Sequence, residues 1–518
     1  MRLTEHSFLD LIDMVHSNDR CVECGACIAV CPFHAIVSKD FATEEDLKKG
    51  KRIELENSFQ IFFEEKCTSC SICVRSCPVV NWDINKAEEK IFGSLSNSPL
   101  GNFIEIWEAK AEDKEIFYNS QCGGVTTAII QYMLDNRIVH CAIVTTEEDW
   151  EAKPLVAFNK RELLSSQKTK YSKSHILESF SVFSEELLNN YYVCVLTPCQ
   201  MHGFYTMKFN TQRGKLLTKN AKLLIGTFCY GTYDTDKLLD YIEKKGISRM
   251  EITKMEIDTE YMRIYTKNGL MLEEHKNNIY PFLMNSCKYC HDLTNVIADI
   301  SVGAIGTATD HTTVIIRTLR GKQIFDETMK AGYISGHKVD AYHIEEIKKL
   351  SLEKIENGVK EILEKKTNFG QSVLTRTMGK IKKIFSRKKT SKRALLPDYI
   401  HSLYIVTDAG VPIYTYPYNE NESVLISGIF GALNLLINSM SRGKQILKEV
   451  DFSEMKMLLE QREGFVVALL IKKENEKIRD IIAKFADELA RNVIVLEKGI
   501  VKTKLNEDKL IKLITEYF

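Results

Sequence analysis

Cys21-Val22-Glu23-Cys24-Gly25-Ala26-Cys27-Ile28-Ala29-Val30-Cys31-Pro32 and Cys67-Thr68-Ser69-Cys70-Ser71-Ile72-Cys73-Val74-Arg75-Ser76-Cys77-Pro78 share one spacing, Cys-x2-Cys-x2-Cys-x3-Cys-Pro. Three thiolates on so tight a loop reach three corners of one iron-sulfur cubane, while the fourth, turned away by the proline, reaches a second. The repeat therefore assigns Cys21, Cys24, Cys27 and Cys77 to one [4Fe-4S] cluster, and Cys67, Cys70, Cys73 and Cys31 to the other. A pair of zinc sites is the alternative, but this run crowds its thiolates more closely than the paired knuckles of zinc ribbons. Two such clusters form a relay, so another part of the chain must supply or consume the electrons.

Working outward, the repeat predicts a pseudo-symmetric, ferredoxin-like domain over residues 1–95. The whole chain of 518 residues is too long for one core, and several domains are expected. It is 44% hydrophobic and 27% charged, with 70 basic residues against 70 acidic ones. This balance removes a global electrostatic case for nucleic acid. No apolar run reaches the roughly 18 residues that span a bilayer, and Phe465–Ile471 reads as a buried strand. Met1-Arg2-Leu3-Thr4-Glu5-His6 lacks a signal-peptide core, and the thiolate motifs call for a reducing compartment, so the expected location is the cytoplasm.

From about Ile104, apolar runs such as Cys141-Ala142-Ile143-Val144 and Val193-Cys194-Val195-Leu196 alternate with helical stretches, predicting an α/β body over residues 96–370. Glycines, cysteines and small polar residues gather at the ends of these runs, where open α/β sheets bind ligands. They occur in Ser120–Thr127, Leu196–Gln200, Ile225–Gly231, Cys287–Asp292, Ala298–Gly306 and His311–Val314. Gly123 and Gly124 would let backbone N–H groups approach a ligand; an ordinary tight turn before a helix is the alternative. Cys141 and Cys194, inside apolar runs, read as packing residues. His291 and His311 read as structural. No G-x-G-x-x-G fingerprint is present, which argues against a Rossmann dinucleotide site.

The ordered set Cys122-Gly123-Gly124-Val125-Thr126, Lys170-Tyr171, Thr197-Pro198-Cys199-Gln200, Phe228-Cys229, Cys287-x2-Cys290, Ala298–Gly303 and Thr312–Arg317 resembles the coenzyme F-420 hydrogenase/dehydrogenase beta-subunit family, over roughly residues 100–368. The resemblance implies an FAD and [4Fe-4S] protein that exchanges hydride with a 5-deazaflavin coenzyme. It implies that Cys199, Cys229, Cys287 and Cys290 hold a third cluster, the alternatives being a zinc site or unliganded loop thiols. It also implies FAD contacts at Ser120, Gly123, Gly124, Thr126, Lys170, Tyr171, Ser172, Thr197, Asp299, Ser301, Gly303, Thr312 and Thr313. Cys122 and Ala304 stand where relatives often have acidic residues, which leaves the role of Cys122 open. A flavin can trade a hydride for single electrons. The implied function is therefore an oxidoreductase moving electrons, in either direction, between coenzyme F-420 and ferredoxin or another electron-transfer subunit. A reductase of a different organic acceptor and a redox scaffold recruited through the C-terminal domain are the alternatives.

The basic run Gly379–Arg393 marks a linker over residues 371–397, read as a solvated tether, with weak attachment to anionic lipid as the sharper alternative. Residues 398–518 then predict a β-β-α-β-β-α domain. Ser402–Val406 and Val411–Tyr416 flank an Asp408-Ala409-Gly410 turn, helix follows over 427–441, Met455–Glu460 and Gly464–Lys472 form a second hairpin, and helix returns over 476–490. This order resembles longin and roadblock-type domains, which implies an interaction module for a small GTPase or a dimer partner. Without cysteines, it has no part in holding the clusters.

Overall fold

Apolar side chains two residues apart share a face of a strand, and this period organises both halves of the chain. The computed structural model describes residues 7–39, 41–42, 52–54, 59–96, 98–258, 260–306, 310–364, 400–407, 412–416, 449–451, 456–462, 465–472, 478–492, 496–497, 500–501 and 507–517. Its contacts divide the chain into two compact units, Met1–Ile384 and Phe385–Phe518. The basic run Gly379–Arg393 lies outside the described residues.

In the first unit, β1 (Ile36–Ser38), β2 (Arg52–Glu54) and β3 (Gln60–Phe63) form a small antiparallel sheet in the order β1-β3-β2. The two cysteine loops lead into short helices α1 (Ala26–Val30) and α2 (Ile72–Ser76). Phe8, Leu11, Val15, Ile28, Ile36, Phe62 and Val74 close a core around the loops.

The body is a sheet of eight strands: β4 (Glu105–Ala111), β5 (Cys141–Glu148), β6 (Glu151–Ala157), β7 (Tyr192–Leu196), β8 (Ala221–Thr227), β12 (Ile300–Gly303), β13 (Thr312–Ile316) and β14 (Ile334–Lys338). Their order is β14-β4-β13-β12-β8-β7-β5-β6. Strands β5, β7, β8 and β12 run parallel, with antiparallel strands towards both edges. Between β8 and β12 the chain adds an antiparallel meander, β9 (Lys254–Ile257), β10 (Tyr261–Thr266) and β11 (Gly269–His275), with its own core around Leu238, Ile242, Met262 and Ile264. The sequence patterns did not indicate this addition.

Alternation assigns the two faces of the large sheet. Ala142, Val144, Val193, Leu223 and Ile225 pack with α3 (Val125–Asp135) on one side. Cys141, Ile143, Tyr192, Cys194 and Leu224 pack on the other with α4 (Pro198–Asn210) and with Cys24, Ala26, Ala29 and Val30 of the first cysteine loop. Cys141 and Cys194 are fully buried there, in the packing role their apolar surroundings predicted. The cysteine-rich domain is thus seated on one face of the body through α4. Helix α5 (Leu319–Lys330) and then the longer α6 (Ala341–Glu364) complete this unit.

In the second unit, β15 (Ile400–Thr407), β16 (Pro412–Tyr416), β17 (Glu449–Asp451), β18 (Lys456–Arg462) and β19 (Phe465–Ile471) form a sheet in the order β16-β15-β19-β18-β17. Both predicted hairpin pairings are present. The turn 408–410 and the helix expected over 427–441 lie outside the described residues. Every residue of β19 is buried. Phe465, Val467 and Leu469 face a core with Ile482 and Phe485 of α7 (Ile478–Asn492) and Leu510 of α8 (Glu507–Tyr517). Among the described helices none is long and apolar enough to cross a membrane.

Candidate functional site

The two cysteine loops share a backbone conformation as well as a spacing. Glu23 (φ 53°) and Gly25 (φ 84°) in the first loop correspond to Ser69 (φ 52°) and Ser71 (φ 60°) in the second. Residues of this kind turn backbone N–H groups inward, and such concavities receive anionic groups including iron-sulfur clusters. At Gly25 a Cβ would stand 2.5 Å from the His175 carbonyl oxygen, so this loop can sit on the body only with glycine there. Donors also reach the thiols: Gln60 Nε2 lies 2.8 Å from Cys27 Sγ, and the N–H groups of Glu23 and Ala35 lie 3.4 Å from the sulfurs of Cys21 and Cys31.

The pairing of cysteines follows the crossed pattern read from the repeat. Cys21, Cys24, Cys27 and Cys77 line one cavity; Cys31, Cys67, Cys70 and Cys73 line another. Burial pushes the Cys21 and Cys73 thiols up to about 12 and Cys77 up to about 11. Thiolates at these positions therefore need positive charge beside them, which iron supplies. Among the described residues no three Cys, His, Asp or Glu side chains converge on the position of a single metal ion. Four thiols standing around a cavity suit a multi-atom cubane.

The parallel strands of the body point their C-terminal ends at one edge, and the third group of cysteines assembles there. Cys199 lies in the first turn of α4, after β7. Thr197 and Gln200 cap that helix reciprocally, and Thr197 Oγ1 is 3.4 Å from Cys199 Sγ. Cys229 follows β8, and the backbone N–H of the nearby Thr232 lies 3.4 Å from Cys287 Sγ. Cys287 and Cys290 flank the end of a single helical turn, Asn285–Lys288. Burial, with mutual repulsion among these thiols and restraint from Thr197, raises Cys199 to about 11. Cys229 and Cys290 also rise, burial again being the largest cause. Lys354, reaching in from α6, donates to the Cys229 carbonyl, and that helix packs on Cys290 through Gly358. The four cysteines expected to act together are thus brought together.

This group directly adjoins the first ferredoxin site. A Cβ at Gly203 of α4 would stand 2.9 Å from Cys24 Sγ. Arg20 stacks over the Tyr289 ring at 4.6 Å, joining the residue before Cys21 to the middle of the Cys287–Cys290 pair. Trp82 stacks on His202 at 4.3 Å, and His202 Nε2 is 3.3 Å from Asp292.

The residues expected around FAD divide. Gly123, Gly124, Thr126, Thr312 and Thr313 gather at the same edge. Cys122 Sγ is 3.4 Å from Thr312 Oγ1, and Gly124 (φ 75°) caps α3. Gly123 is small for the protein's own sake, since a Cβ there would stand 2.7 Å from the Ala109 carbonyl oxygen. The Ser120 hydroxyl donates to the Phe117 carbonyl at 2.7 Å and also meets the Cys122 carbonyl. Thr313 donates to the Ile305 carbonyl. The Lys170 ammonium caps the carbonyls of Ser166 and Gln167, and burial lowers it to about 8. The Tyr171 hydroxyl accepts the Ile257 N–H at 2.9 Å, and Ser172 accepts the Ala152 N–H at 2.7 Å. Gly303 leaves room for the Phe228 ring.

Asp299 and Ser301 are placed elsewhere. Asp299 precedes β12, at the opposite edge from the cysteines, where it accepts the Leu224 N–H at 2.8 Å and the Thr318 hydroxyl at 2.7 Å and pairs with Arg320. Ser301, in mid-strand, donates to the Asn295 carbonyl at 3.0 Å and accepts from Arg317 Nε at 2.6 Å. Both hold the sheet to its flanking segments.

A dicluster module seated on a mixed α/β sheet, with four more cysteines at the strand ends beside it, defines an iron-sulfur oxidoreductase. Comparisons with known proteins specify which. Residues 106–181 match the family model for the N-terminal part of the coenzyme F420 hydrogenase/dehydrogenase beta subunit, residues 190–342 match the model for its C-terminal part, and residues 16–87 match the 4Fe-4S dicluster domain. An uncharacterized protein of Methanocaldococcus jannaschii is 30% identical over 68% of this chain and 99% of its own length. The F subunit of the F(420)H(2) dehydrogenase of Methanosarcina mazei is 30% identical over 60% of this chain and 83% of its own. The beta subunit of the coenzyme F420 hydrogenase of Methanothermobacter thermautotrophicus is 29% identical over 52% and 96%, respectively. The chain belongs to the coenzyme F-420 hydrogenase/dehydrogenase beta-subunit family and carries a 4Fe-4S dicluster domain.

Proposed function

We propose that this protein moves electrons between coenzyme F-420, which carries them as hydride, and a one-electron partner, either ferredoxin or another subunit, by means of FAD and three [4Fe-4S] clusters. The observation that carries the reading is the approach of Gly203 in the helix of Cys199 to Cys24 of the first loop. It sets the third group of cysteines beside the ferredoxin sites, as a continuous path requires. FAD, when bound, supplies the conversion between a hydride and single electrons. Cys199, Cys229, Cys287 and Cys290 would hold the cluster nearest to it, and Cys70, exposed on the second loop, brings the outermost site to the surface.

The FAD contacts would come from the strand-end loops. Gly124, at the N-terminus of the eleven-residue helix α3, presents backbone N–H groups to an anionic or carbonyl-rich ligand, and Thr126 and Thr312 add hydroxyls. Lys170, Tyr171 and Ser172 shape the wall through their bonds to backbone. The second unit, with its five-stranded sheet backed by α7 and α8, would serve as a longin- or roadblock-like interaction module for a small GTPase or a dimer partner. Thiolate-bound clusters suit the reducing cytoplasm.

Anaerobic reconstitution tests the cofactor content, with FAD and about 12 iron atoms per chain expected; about 8 refutes the third cluster. Turnover is followed by deazaflavin absorbance with a viologen as one-electron acceptor. Absence of turnover in fully loaded protein refutes coenzyme F-420 as the substrate.

A further inference from the structure

Lys173 lies at the junction between the first ferredoxin site and the third group of cysteines. Its ammonium donates to the Cys21 carbonyl at 2.7 Å and to Ser286 Oγ at 2.8 Å, and it pairs with Glu23 Oε1 at 3.3 Å. One cation therefore ties the Cys21–Cys24 loop to the residue immediately before Cys287. The pair is largely out of water, with side-chain exposures of 8% for Lys173 and 19% for Glu23. In such surroundings a charge acts over several ångströms with little screening.

The two charges are not placed symmetrically. Glu23 belongs to the ferredoxin loop itself, between Cys21 and Cys24. Lys173 reaches across to Ser286, on the side of Cys287.

We propose that Lys173 and Glu23 form a fixed dipole across this junction, positive towards the four-cysteine site of the body and negative towards the adjacent ferredoxin site, and that it sets the step in reduction potential between them. The proposal rests on clusters occupying both sites, as in the function above. A cluster that gains an electron gains negative charge, which Lys173 stabilises and Glu23 opposes. The dipole thus raises the potential of the body site relative to its neighbour. One electron leaves one cluster and enters the other, while no bond or proton moves, Lys173 stays an ammonium and Glu23 a carboxylate. At this junction the dipole assists transfer inward, from ferredoxin site to body, and opposes transfer outward. The outer site of Cys31, Cys67, Cys70 and Cys73, which Lys173 does not contact, serves as an internal reference.

The test is an EPR-monitored redox titration of the full chain, reconstituted without oxygen, as wild type and as Lys173→Gln, Lys173→Arg and Glu23→Gln. The body signal is identified by its loss in Cys290→Ala. Lys173→Gln is expected to lower the body potential relative to the adjacent site by about tenfold in the one-electron equilibrium, about 59 mV. Glu23→Gln is expected to raise the adjacent site, and Lys173→Arg to restore the wild-type step. The outer site, which neither residue touches, moves less than either of the other two in the single-charge variants and stays unchanged in Lys173→Arg. An unaltered step in Glu23→Gln and Lys173→Gln at about 12 iron atoms per chain overturns the dipole alone. Equal movement of all three potentials also overturns it, because that marks a general disturbance. About 8 iron atoms in the wild type overturns the third cluster, and the dipole with it.

Discussion

Gly203 sits in the interior of α4, where alanine ordinarily favours the helix by about 1 kcal/mol. Here the same substitution is expected to weaken the protein's hold on iron. The new methyl group would lie 2.9 Å from both Cys24 Sγ and Leu177 Cδ1, and 3.3 Å from Cys24 Cβ. Leucine can rotate aside, but a sulfur bound to iron is tethered. Overpacking of a filled core costs about 1–3 kcal/mol. Against the helical gain this leaves a net loss of up to about 2 kcal/mol, confined to the loaded protein. Since about 1.4 kcal/mol is tenfold in an equilibrium constant, retention of the first ferredoxin cluster should fall by roughly that factor. Gly203→Ala is to be reconstituted anaerobically and its iron release to a chelator timed against wild type. The expected result is a release phase about tenfold faster, involving about 4 iron atoms per chain, with the remaining iron unaffected. Unchanged release together with a higher melting temperature would show that the helical gain dominates, and would refute the claim that Cys24 is held in place against α4.

Arg317 donates to the carbonyls of Leu100, Asn102 and Thr294 and to the hydroxyls of Ser301 and Thr294. Arg317→Met strands these buried acceptors and should lower the unfolding free energy by about 3–5 kcal/mol in urea titration, while a loss below about 1 kcal/mol contradicts the network. Cys194→Ala, deep in the core, should lower stability by about 1 kcal/mol and leave iron content at the wild-type value; any loss of iron assigns that thiol a ligand role. His16 is lowered from 6.5 to about 4 by burial, reinforced by Lys173. The unfolded chain therefore takes up a proton that the folded chain refuses, and stability falls between pH 6.5 and about 4, by up to ~1.4 kcal/mol per pH unit. His16→Gln should flatten this part of the stability profile, and an unchanged slope between the two proteins places the acid sensitivity in another group.

The ferredoxin sites were legible because spacing along the chain encodes them: a tight loop permits few ways for three thiols to meet, and the repeat supplies the rest. The third group of cysteines was legible only through resemblance, since Cys199 and Cys287 meet by way of the sheet and not through local sequence. The loops expected around FAD show the limit most clearly. Small and polar residues at strand ends suit a ligand and suit the protein's own backbone equally well, and Tyr171, Ser172, Ser301 and Asp299 are engaged by the latter. In Lys170-Tyr171-Ser172-Lys173 the motif drew attention to Lys170, whose ammonium caps a helix end. Lys173, three residues on, is the one that reaches both groups of cysteines, through partners distant in sequence at Cys21 and Ser286. In the second unit, β19 was legible as a short continuous apolar run, because both of its faces are buried.

The crossed lining of the two ferredoxin cavities also bears on how the protein is made. Cys77 completes the wall begun by Cys21, Cys24 and Cys27, and Cys31 completes the wall of Cys67, Cys70 and Cys73. During synthesis neither cavity can close until the second loop has left the ribosome, and the group at the strand ends waits until Cys290. Iron delivered earlier would meet three thiols with no fourth, a site open to solvent and oxidation. Insertion of the two ferredoxin clusters thus waits for the second loop, in an order set by the path of the backbone.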